Sequence, residues 1–302
     1  MHAGVTIHDF VDKYTNVISL RLRSHDQIRR HLRRFESYFS GRKLNSIRRR
    51  DIAEYVEHRQ VQGVEPSSIN VELAVFSASI NYAKKRWEIE VHNPVDGLYF
   101  PAKPGRLRYL EKEEAAKLLE TARGIRSPYL ADFIELALNT GARKNELLQL
   151  QFSSIDFQRR IMTIEGHTTK TGKRRHLPIN RASMDVLMRR LLYRNNNCPE
   201  SPWVFSKRLG GRIKFPDNSF RLAVERAGLD DFCIHDLRHT FASWLVSEGV
   251  ELIKVRDLLG HASIRMTERY AHLAPYRLHE AVAVLDRYCG QGNLDLGGKA
   301  MF

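Results

Sequence analysis

The sequence has 302 residues, of which 42% are hydrophobic and 28% are charged, a balance that excludes a mainly disordered or collagen-like chain. This length accommodates two domains, each with its own hydrophobic core. The 49 lysines and arginines outnumber the 35 aspartates and glutamates, and the formal net charge of +14 favours a polyanionic partner. Residues 1–106 carry 18 basic against 12 acidic side chains and residues 107–302 carry 31 against 23, so both halves are basic.

The sequence contains no apolar run of the ~18 to 20 residues that a membrane-spanning helix needs. Its first ten residues lack the basic region and apolar stretch of a signal peptide. Three cysteines, Cys198, Cys233 and Cys289, are too few and too scattered for a disulfide framework, and no CxxC pair indicates zinc. We therefore predict a cytoplasmic protein with reduced thiols and no membrane contact.

Residues 1–98 are predicted to form a helical bundle. Apolar residues recur at helical spacing in two segments and give two buried faces, Ile28, Leu32, Phe35 and Phe39, and Ile69, Leu73, Phe76 and Ile80. Another helix is expected over residues 51–60, ended by Gly63. The arginines within residues 29–34 point partly outward, either to solvent or to a phosphate backbone. Residues 99–108 contain two prolines and a glycine without helical periodicity, which predicts an interdomain linker.

Residues 109–290 are predicted to form a second domain, mostly helical with a small sheet. Two β-branched segments, 160–166 and 173–179, predict a β-hairpin with Lys170 at its tip. Helical patterns cover residues 110–123, 127–141, 142–150, 217–227, 236–248, 251–259, 264–270 and 276–288. The glycine-rich residues 291–302 are predicted to be a flexible tail. The expected fold class is therefore mainly α with a small β-sheet, an N-terminal helical bundle preceding a mixed α/β domain.

Four motifs of the second domain follow one another: TGARKNELLQL, HTTKTGKRRHLPI, HDLRHTFAS and LLGHASIRMTERYAHL. Together they resemble the tyrosine recombinase (phage integrase) family, in the form of a Xer-like or simple integrase. The catalytic set of that family runs Arg, Lys, His-x-x-Arg, His or Trp, and Tyr. Matched motif by motif, the resemblance assigns Arg143, Lys170, His235, Arg238, His261 and Tyr270. The N-terminal bundle resembles the core-binding domain of the same family by position and helical content.

The assigned residue types suit phosphoryl transfer. A phosphodiester under attack develops negative charge, which preorganised cations stabilise, and arginine meets two oxygens at once. His235 and Arg238 lie three residues apart on a predicted helix and therefore share a face. His235 and His239 have a spacing that suits a metal, but the glutamate of an HExxH motif is absent. We predict no metal and no cofactor, and interpret His239 as a packed or hydrogen-bonded core histidine.

His261 and Tyr270 are nine residues apart, and one continuous helix would turn by about 900° between them, placing them on opposite faces. The helix must break if both side chains line one site. Gly260 is a suitable helix stop and Ser263 a suitable N-cap, so His261 is expected in the junction.

The resemblance implies a site-specific recombinase that cuts and rejoins double-stranded DNA through a 3′-phosphotyrosine at Tyr270, as a tetramer on paired sites. It makes Lys170 the general acid, with Lys173 as the rival, and His235 the general base. A type IB topoisomerase and a DNA-binding relative that does not cut remain alternatives. The C-terminal helix is suited to packing either on its own domain or on a neighbouring subunit.

Overall fold

The computed structural model describes residues 4–20, 25–101, 106–166 and 174–275, together with Val282, Ala283 and Leu285. The chain divides into two compact units, residues 1–105 and residues 106–302. Among the described residues, no helix is both long and apolar enough to cross a membrane.

The first unit is a helical bundle in its described part. Its helices are α1 (Ile7–Ser19), α2 (His25–Tyr38), α3 (Arg49–Val61) and α4 (Pro66–Trp87). The stripe predicted on α4 is fully buried, and on α2 the same holds for Leu32 and Phe35, with Ile28 partly buried. Hydrophobic burial along these stripes is the main favourable term in folding of the bundle. The two predicted faces are therefore confirmed.

Both described ends of the predicted linker are held by contacts within their own unit. The backbone N–H of Phe100 donates to Asn70 Oδ1 at 2.9 Å, and the Asn70 amide returns a hydrogen bond to the carbonyl of Phe100. At the other end, Arg108 forms an ion pair with Glu114 at 2.6 Å. Side-chain partners in both units thus fix backbone that sequence composition alone marks as irregular.

The second unit is built around α6 (Leu130–Thr140), whose apolar side chains are buried on most of its surface. Helix α6 packs against three neighbours, α5 (Lys112–Arg123), α8 (Arg181–Asn197) and α10 (Asp236–Ser247). The remaining α-helices of the described part are α7 (Lys144–Leu148), α9 (Asp217–Arg226) and α11 (Leu252–Leu259). A helix at the centre of a domain is apolar on nearly all sides.

A small antiparallel sheet lies beside these helices in the order β1 (Ile155–Asp156), β2 (Ile161–Ile164) and β3 (Arg175–Pro178). Met162 pairs with Leu177, and Ile164 pairs with Arg175. The predicted hairpin is confirmed, and β1 is an additional strand that the sequence did not indicate. The hairpin tip with Lys170 and Lys173, and most of the expected helix 276–288, lie outside the described residues.

Two helices were missed by the sequence analysis. Helix α1 is preceded by the N-cap residue Thr6, whose hydroxyl accepts the backbone N–H of Asp9 at 3.1 Å, a capping signal that the sequence does contain. Helix α8 has weak amphipathic contrast, because Arg190 is buried while Met188 and Leu192 are exposed. Its periodicity is therefore hidden.

The segment 264–270 was predicted as one α-helix, and this was wrong. It forms two 3₁₀ turns, Ile264–Met266 and Glu268–Leu273. The fully buried Thr267 lies between them and is hydrogen-bonded to His261, which directs the chain inward at the junction. Short 3₁₀ segments are a common connection where a chain must turn tightly.

Candidate active site

The site begins where α6 ends. Gly141 adopts φ +61° and closes the helix, and a Cβ at this position would lie 2.3 Å from Cδ1 of Phe241. Glycine is therefore required both for the left-handed backbone and for the close packing. The chain then turns directly into α7, with Arg143 as the residue before its first turn. This tight reversal is what places Arg143 beside the elements that follow.

Glu146 holds two arginines in place from a buried position. Its carboxylate accepts from Arg143 Nη1 at 3.0 Å and from Arg175 Nη1 and Nη2 at 3.0 and 2.6 Å, and it also caps the backbone N–H of Arg143. Burial raises the pKa of Glu146, but the hydrogen bonds and charge of Arg175 outweigh burial and leave that pKa below its ordinary value. A permanently charged carboxylate thus orients Arg143.

Arg238 is buried and is held by backbone carbonyls rather than by an acid. Nη1 donates to Gly141 O at 2.9 Å and Nη2 donates to Leu259 O at 2.7 Å, which are the ends of α6 and α11. Burial, followed by the charge of Arg143, lowers the pKa of Arg238 to about 9. The guanidinium is therefore charged at neutral pH, and each terminal nitrogen keeps a second hydrogen for another acceptor.

His261 lies in the break after α11, as the sequence predicted. Gly260 adopts φ +64° as the last residue of the helical turn, and the Ser263 hydroxyl accepts the backbone N–H of Arg265 at 3.3 Å. His261 Nδ1 is 2.8 Å from Thr267 Oγ1. Burial, with the charges of Arg238 and Arg143, lowers the pKa of His261 to about 3, so its ring is neutral at pH 7.

Tyr270 is buried and its hydroxyl contacts a histidine. Oη lies 2.5 Å from Nδ1 of His239. His239 lies on α10, one helical turn after His235. Burial raises the pKa of Tyr270 to about 12, although the charges of Arg238 and Arg269 act in the opposite direction. Burial and the neighbouring His235 lower the pKa of His239 to about 4. The pair therefore consists of a phenol and a neutral imidazole.

These side chains meet in one open cleft with a volume of about 420 Å³. Its walls are formed by Arg143, His235, Arg238, His239, His261, Arg265, Met266, Arg269 and Tyr270. Five of the six residues assigned by the sequence are thus brought together, and Lys170 lies outside the described residues. Such a cleft, rich in cations and with one buried phenol, is suited to a phosphodiester.

Several residues of the cleft escaped the sequence analysis. Arg265 and Arg269 add two exposed cations beside Tyr270, and Glu146 and Arg175 support Arg143 from behind. His239 was interpreted as a packed or hydrogen-bonded core histidine, and its partner was not foreseen. Within the residues that the structure describes, no group of three or more His, Cys, Asp or Glu side chains could hold a metal ion.

We compared the chain with protein-family models and with known proteins. Residues 108–277 match the model of the phage integrase family, and residues 5–99 match the model of the phage integrase N-terminal domain. The chain belongs to the phage integrase family. Among curated members, it is 31% identical over 230 residues to the integrase of Salmonella phage P22. It is 30% identical over 238 residues to the tyrosine recombinase XerC of Pseudomonas aeruginosa.

The matched regions cover different shares of these relatives. The P22 match covers 72% of this chain but 57% of the relative, and a match to the integrase of Escherichia phage 186 covers 63% of that relative. The chain thus spans about three fifths of these two phage integrases, whereas the XerC match covers 76% of both proteins.

Two solved structures share the fold. The Tn1549 transposon integrase in complex with a circular intermediate DNA superposes with a TM-score of 0.77 at 20% identity, over 94% of this chain and 99% of that one. A lambda integrase tetramer bound to a Holliday junction gives a TM-score of 0.73 at 20% identity, over 89% of this chain and 78% of that one. Both confirm the mainly helical fold with a small sheet.

Proposed function

We propose that the protein is a site-specific recombinase that cleaves and rejoins double-stranded DNA in the cytoplasm through a covalent 3′-phosphotyrosine at Tyr270. The observation that carries this proposal is the cleft, which Arg143, Arg238, His235 and His261 line together with a buried tyrosine. An isolated tyrosine or arginine usually serves packing or solvation. Two arginines and two histidines that line one cleft with a buried phenol form a set that suits nucleophilic attack on a phosphodiester.

In the proposed reaction, Tyr270 Oη attacks phosphorus and the bond to the 5′ oxygen breaks. Charge that develops on the non-bridging oxygens is stabilised by Arg143 and Arg238, which Glu146 and two backbone carbonyls hold in fixed positions. His235 and His261 line the same cleft and can donate further hydrogen bonds. The phosphodiester energy is retained in the phosphotyrosine, so the 5′ hydroxyl can reverse the step without ATP.

Lys170 is proposed as the general acid that protonates the departing 5′ oxygen. The hairpin strands that flank this residue are ordered and paired, and Arg175 at the start of β3 connects them to Glu146. Lys170→Ala should slow cleavage of normal DNA far more than cleavage of DNA with a 5′-bridging sulfur, because a thiolate departs without a proton. Equal slowing of both would remove Lys170 from this role, and Lys173→Ala tests the rival lysine.

The proposal is tested by trapping the covalent intermediate. A duplex selected from a random pool by binding to the full chain is nicked near the cleavage position, so that religation is prevented. We expect an adduct that survives denaturation and whose peptide map places the DNA on Tyr270. No adduct would indicate a DNA-binding protein that does not cut. Relaxation of supercoils without exchange between two duplexes would instead indicate a topoisomerase.

We propose that the protein acts as a tetramer on two paired sites. A lambda integrase tetramer on a Holliday junction is among the proteins with this fold, which makes the proposal reasonable. The proposed functional division follows the predicted one, with residues 1–98 binding DNA and residues 109–290 carrying the chemistry. Mapping the selected sites in the host genome would separate an integrase from a dimer resolvase, an invertase or a transposon enzyme.

A further inference from the structure

We propose that His239 is a catalytic residue of this reaction and that its Nδ1 takes the proton from Tyr270 as the phenol attacks phosphorus. The inference rests on the proposed function of Tyr270 and reassigns the base from His235 to its neighbour one helical turn later. It is based on a contact, because His239 Nδ1 lies 2.5 Å from Tyr270 Oη.

The direction of this hydrogen bond follows from the protonation states of the two groups. Tyr270 is a protonated phenol at neutral pH, since burial raises its pKa to about 12. A protonated phenol donates its hydrogen, so Nδ1 must be the acceptor and the ring hydrogen resides on Nε2. His239 is neutral at pH 7 and is therefore able to accept a proton.

The other histidines of the cleft are placed differently. Nδ1 of His261 is engaged with the Thr267 hydroxyl. His235 meets His239 edge to face, with ring centroids 5.1 Å apart, and it is the His239 ring that contacts the ring of Tyr270, with centroids 5.8 Å apart. In the described part of the chain, Tyr270 Oη is hydrogen-bonded to His239. Proton transfer to His239 therefore requires no movement of either side chain.

The charges that face His239 determine when the proton moves. His235, Arg269 and Arg238 disfavour a charged imidazole, and Asp236 favours it. Because the pKa of the phenol lies far above that of the ring, transfer does not precede attack. As the Oη–P bond forms, the phenol oxygen loses electron density and its acidity rises, and Nδ1 then takes the proton. The bond from phosphorus to the 5′ oxygen breaks, and that oxygen is protonated by a separate acid.

Rejoining reverses these steps. The 5′ hydroxyl attacks the phosphotyrosine and returns its proton to the acid that protonated it during cleavage. The Oη–P bond breaks, and the proton on His239 Nδ1 returns to the phenolate. His239 therefore ends each cycle in its neutral form, and no additional reactant is consumed.

The test uses the full chain and the nicked selected duplex, with normal and 5′-bridging sulfur substrates. His239→Asn retains a hydrogen-bonding atom near the position of Nδ1 but cannot take a proton, and His239→Ala removes both. We expect both variants to form the adduct about 10²–10⁴-fold more slowly, which is the usual range for loss of a general base. Sulfur in the leaving group should not restore the rate, in contrast to Lys170→Ala.

The pH profile separates a proton acceptor from a structural partner. Adduct formation by the wild-type protein should vary little from pH 6 to pH 8, whereas in His239→Asn it should rise about tenfold per pH unit as phenolate becomes available. His272→Asn, an exposed histidine two residues after Tyr270, is the matched control and should match the wild-type protein.

The outcomes distinguish this inference from the proposed function. If wild-type protein forms no adduct on selected DNA, the recombinase proposal fails. If wild-type protein forms the adduct and a folded His239→Asn variant does so within threefold of its rate, the inference about His239 is wrong. Restoration of the variant by sulfur would also overturn it, because His239 would then act on the leaving group.

Discussion

Each unit of the molecule buries a tyrosine hydroxyl, and the two hydroxyls have different partners. In the first unit, Tyr55 Oη donates to Glu72 at 2.7 Å, and burial followed by this hydrogen bond raises the pKa of Tyr55. In the second, Tyr270 faces a neutral histidine, and Arg238 and Arg269 oppose the effect of burial on its pKa. A carboxylate keeps the phenol protonated, whereas a neutral imidazole can accept the proton of the phenol. Burial alone therefore does not distinguish the proposed nucleophile Tyr270 from Tyr55, whereas the partners of the two hydroxyls do.

The buried glutamates of the two units show the same contrast. Glu72 accepts from Arg34 at 2.6 Å and from Arg59 at 2.9 Å within the helical bundle. Glu146 holds Arg143 and Arg175, and Arg143 faces the cleft with Tyr270. Each unit thus contains a buried glutamate that forms ion pairs with two arginines. Under the proposed function, this arrangement contributes to chemistry only in the second unit, where Arg143 lines the cleft with Tyr270.

The largest expected effect comes from removing each hydroxyl in turn. Tyr270→Phe should abolish the covalent adduct while changing folding and DNA affinity little, because the ring is retained. Tyr55→Phe should leave the adduct yield of folded protein unchanged but reduce the free energy of unfolding by ~1–3 kcal/mol, since Glu72 loses a buried donor. Denaturing gels and denaturant melts measure the two quantities. An adduct on Tyr270→Phe, or one that maps to Tyr276 or Tyr288, would contradict the assignment.

The next largest effect is expected from replacing each buried glutamate by glutamine. Glu146→Gln should slow adduct formation by ~10²–10³-fold, because Arg143 loses the carboxylate that orients it towards the transition state. Glu72→Gln should leave that rate unchanged. Both substitutions should reduce stability by ~3–5 kcal/mol, as expected when one partner of a buried ion pair is removed. Single-turnover kinetics and melts suffice, and equal rate losses in the two variants would erase the proposed difference.

Glycines at two helix ends offer a smaller and purely structural comparison. Gly63 in the first unit has φ +73° and open space around it, whereas Gly141 has φ +61° and lies against Phe241 and Leu259. Gly63→Ala should cost only the backbone strain of ~1–2 kcal/mol. Gly141→Ala adds a steric clash worth a further ~1–3 kcal/mol. Melting curves for the two variants would test this, and the prediction fails if Gly63→Ala is the more destabilised.

The last expected effect is a pH dependence that the buried histidines of the second unit cause. The pKa values of His239 and His261 in the folded protein, about 4 and about 3, lie below the ordinary value of 6.5. The unfolded chain therefore binds protons first, and the free energy of unfolding should fall as pH decreases from about 6.5 towards 4. Glu72, whose folded pKa is lowered, loses its contribution only below its ordinary value of 4.5.

Hydrogen exchange resolved by residue would distinguish the two pH windows. Exchange in α10 should accelerate between pH 6.5 and pH 4.5 relative to α4, after correction for the intrinsic pH dependence of exchange. The double variant His239→Asn with His261→Asn should reduce that difference, and the part that remains is expected from His235, whose pKa burial also lowers. His272→Asn should preserve the full difference. A difference that persists undiminished in the double variant would show that other groups cause it.

Much of the fold and of the cleft followed from local sequence. Apolar periodicity located α2 and α4, because a helix that must bury one face repeats that face every three to four residues. Helical patterns and end signals located α3, α6, α10 and α11. Gly260 and Ser263 predicted the break that places His261, since capping chemistry is local. The order of the motifs identified five residues that the structure brings together in one cleft. Arg143, His235 and Tyr270 lie on three different elements, yet their residue types and contexts were recognisable one motif at a time.

Other features depended on contacts between distant segments. The sequence contains no sign that His239 would meet Tyr270, which is 31 residues away, or that Glu146 would bind Arg175 across 29 residues. Arg190 is buried against backbone carbonyls of Pro128 and Val204, which masked the periodicity of α8. The segment 264–270 became two 3₁₀ turns because Thr267 packs inward. A side chain's partner, and with it the pKa and the chemical role, is determined by which distant surfaces the hydrophobic core brings together, and local spacing carries no information about that.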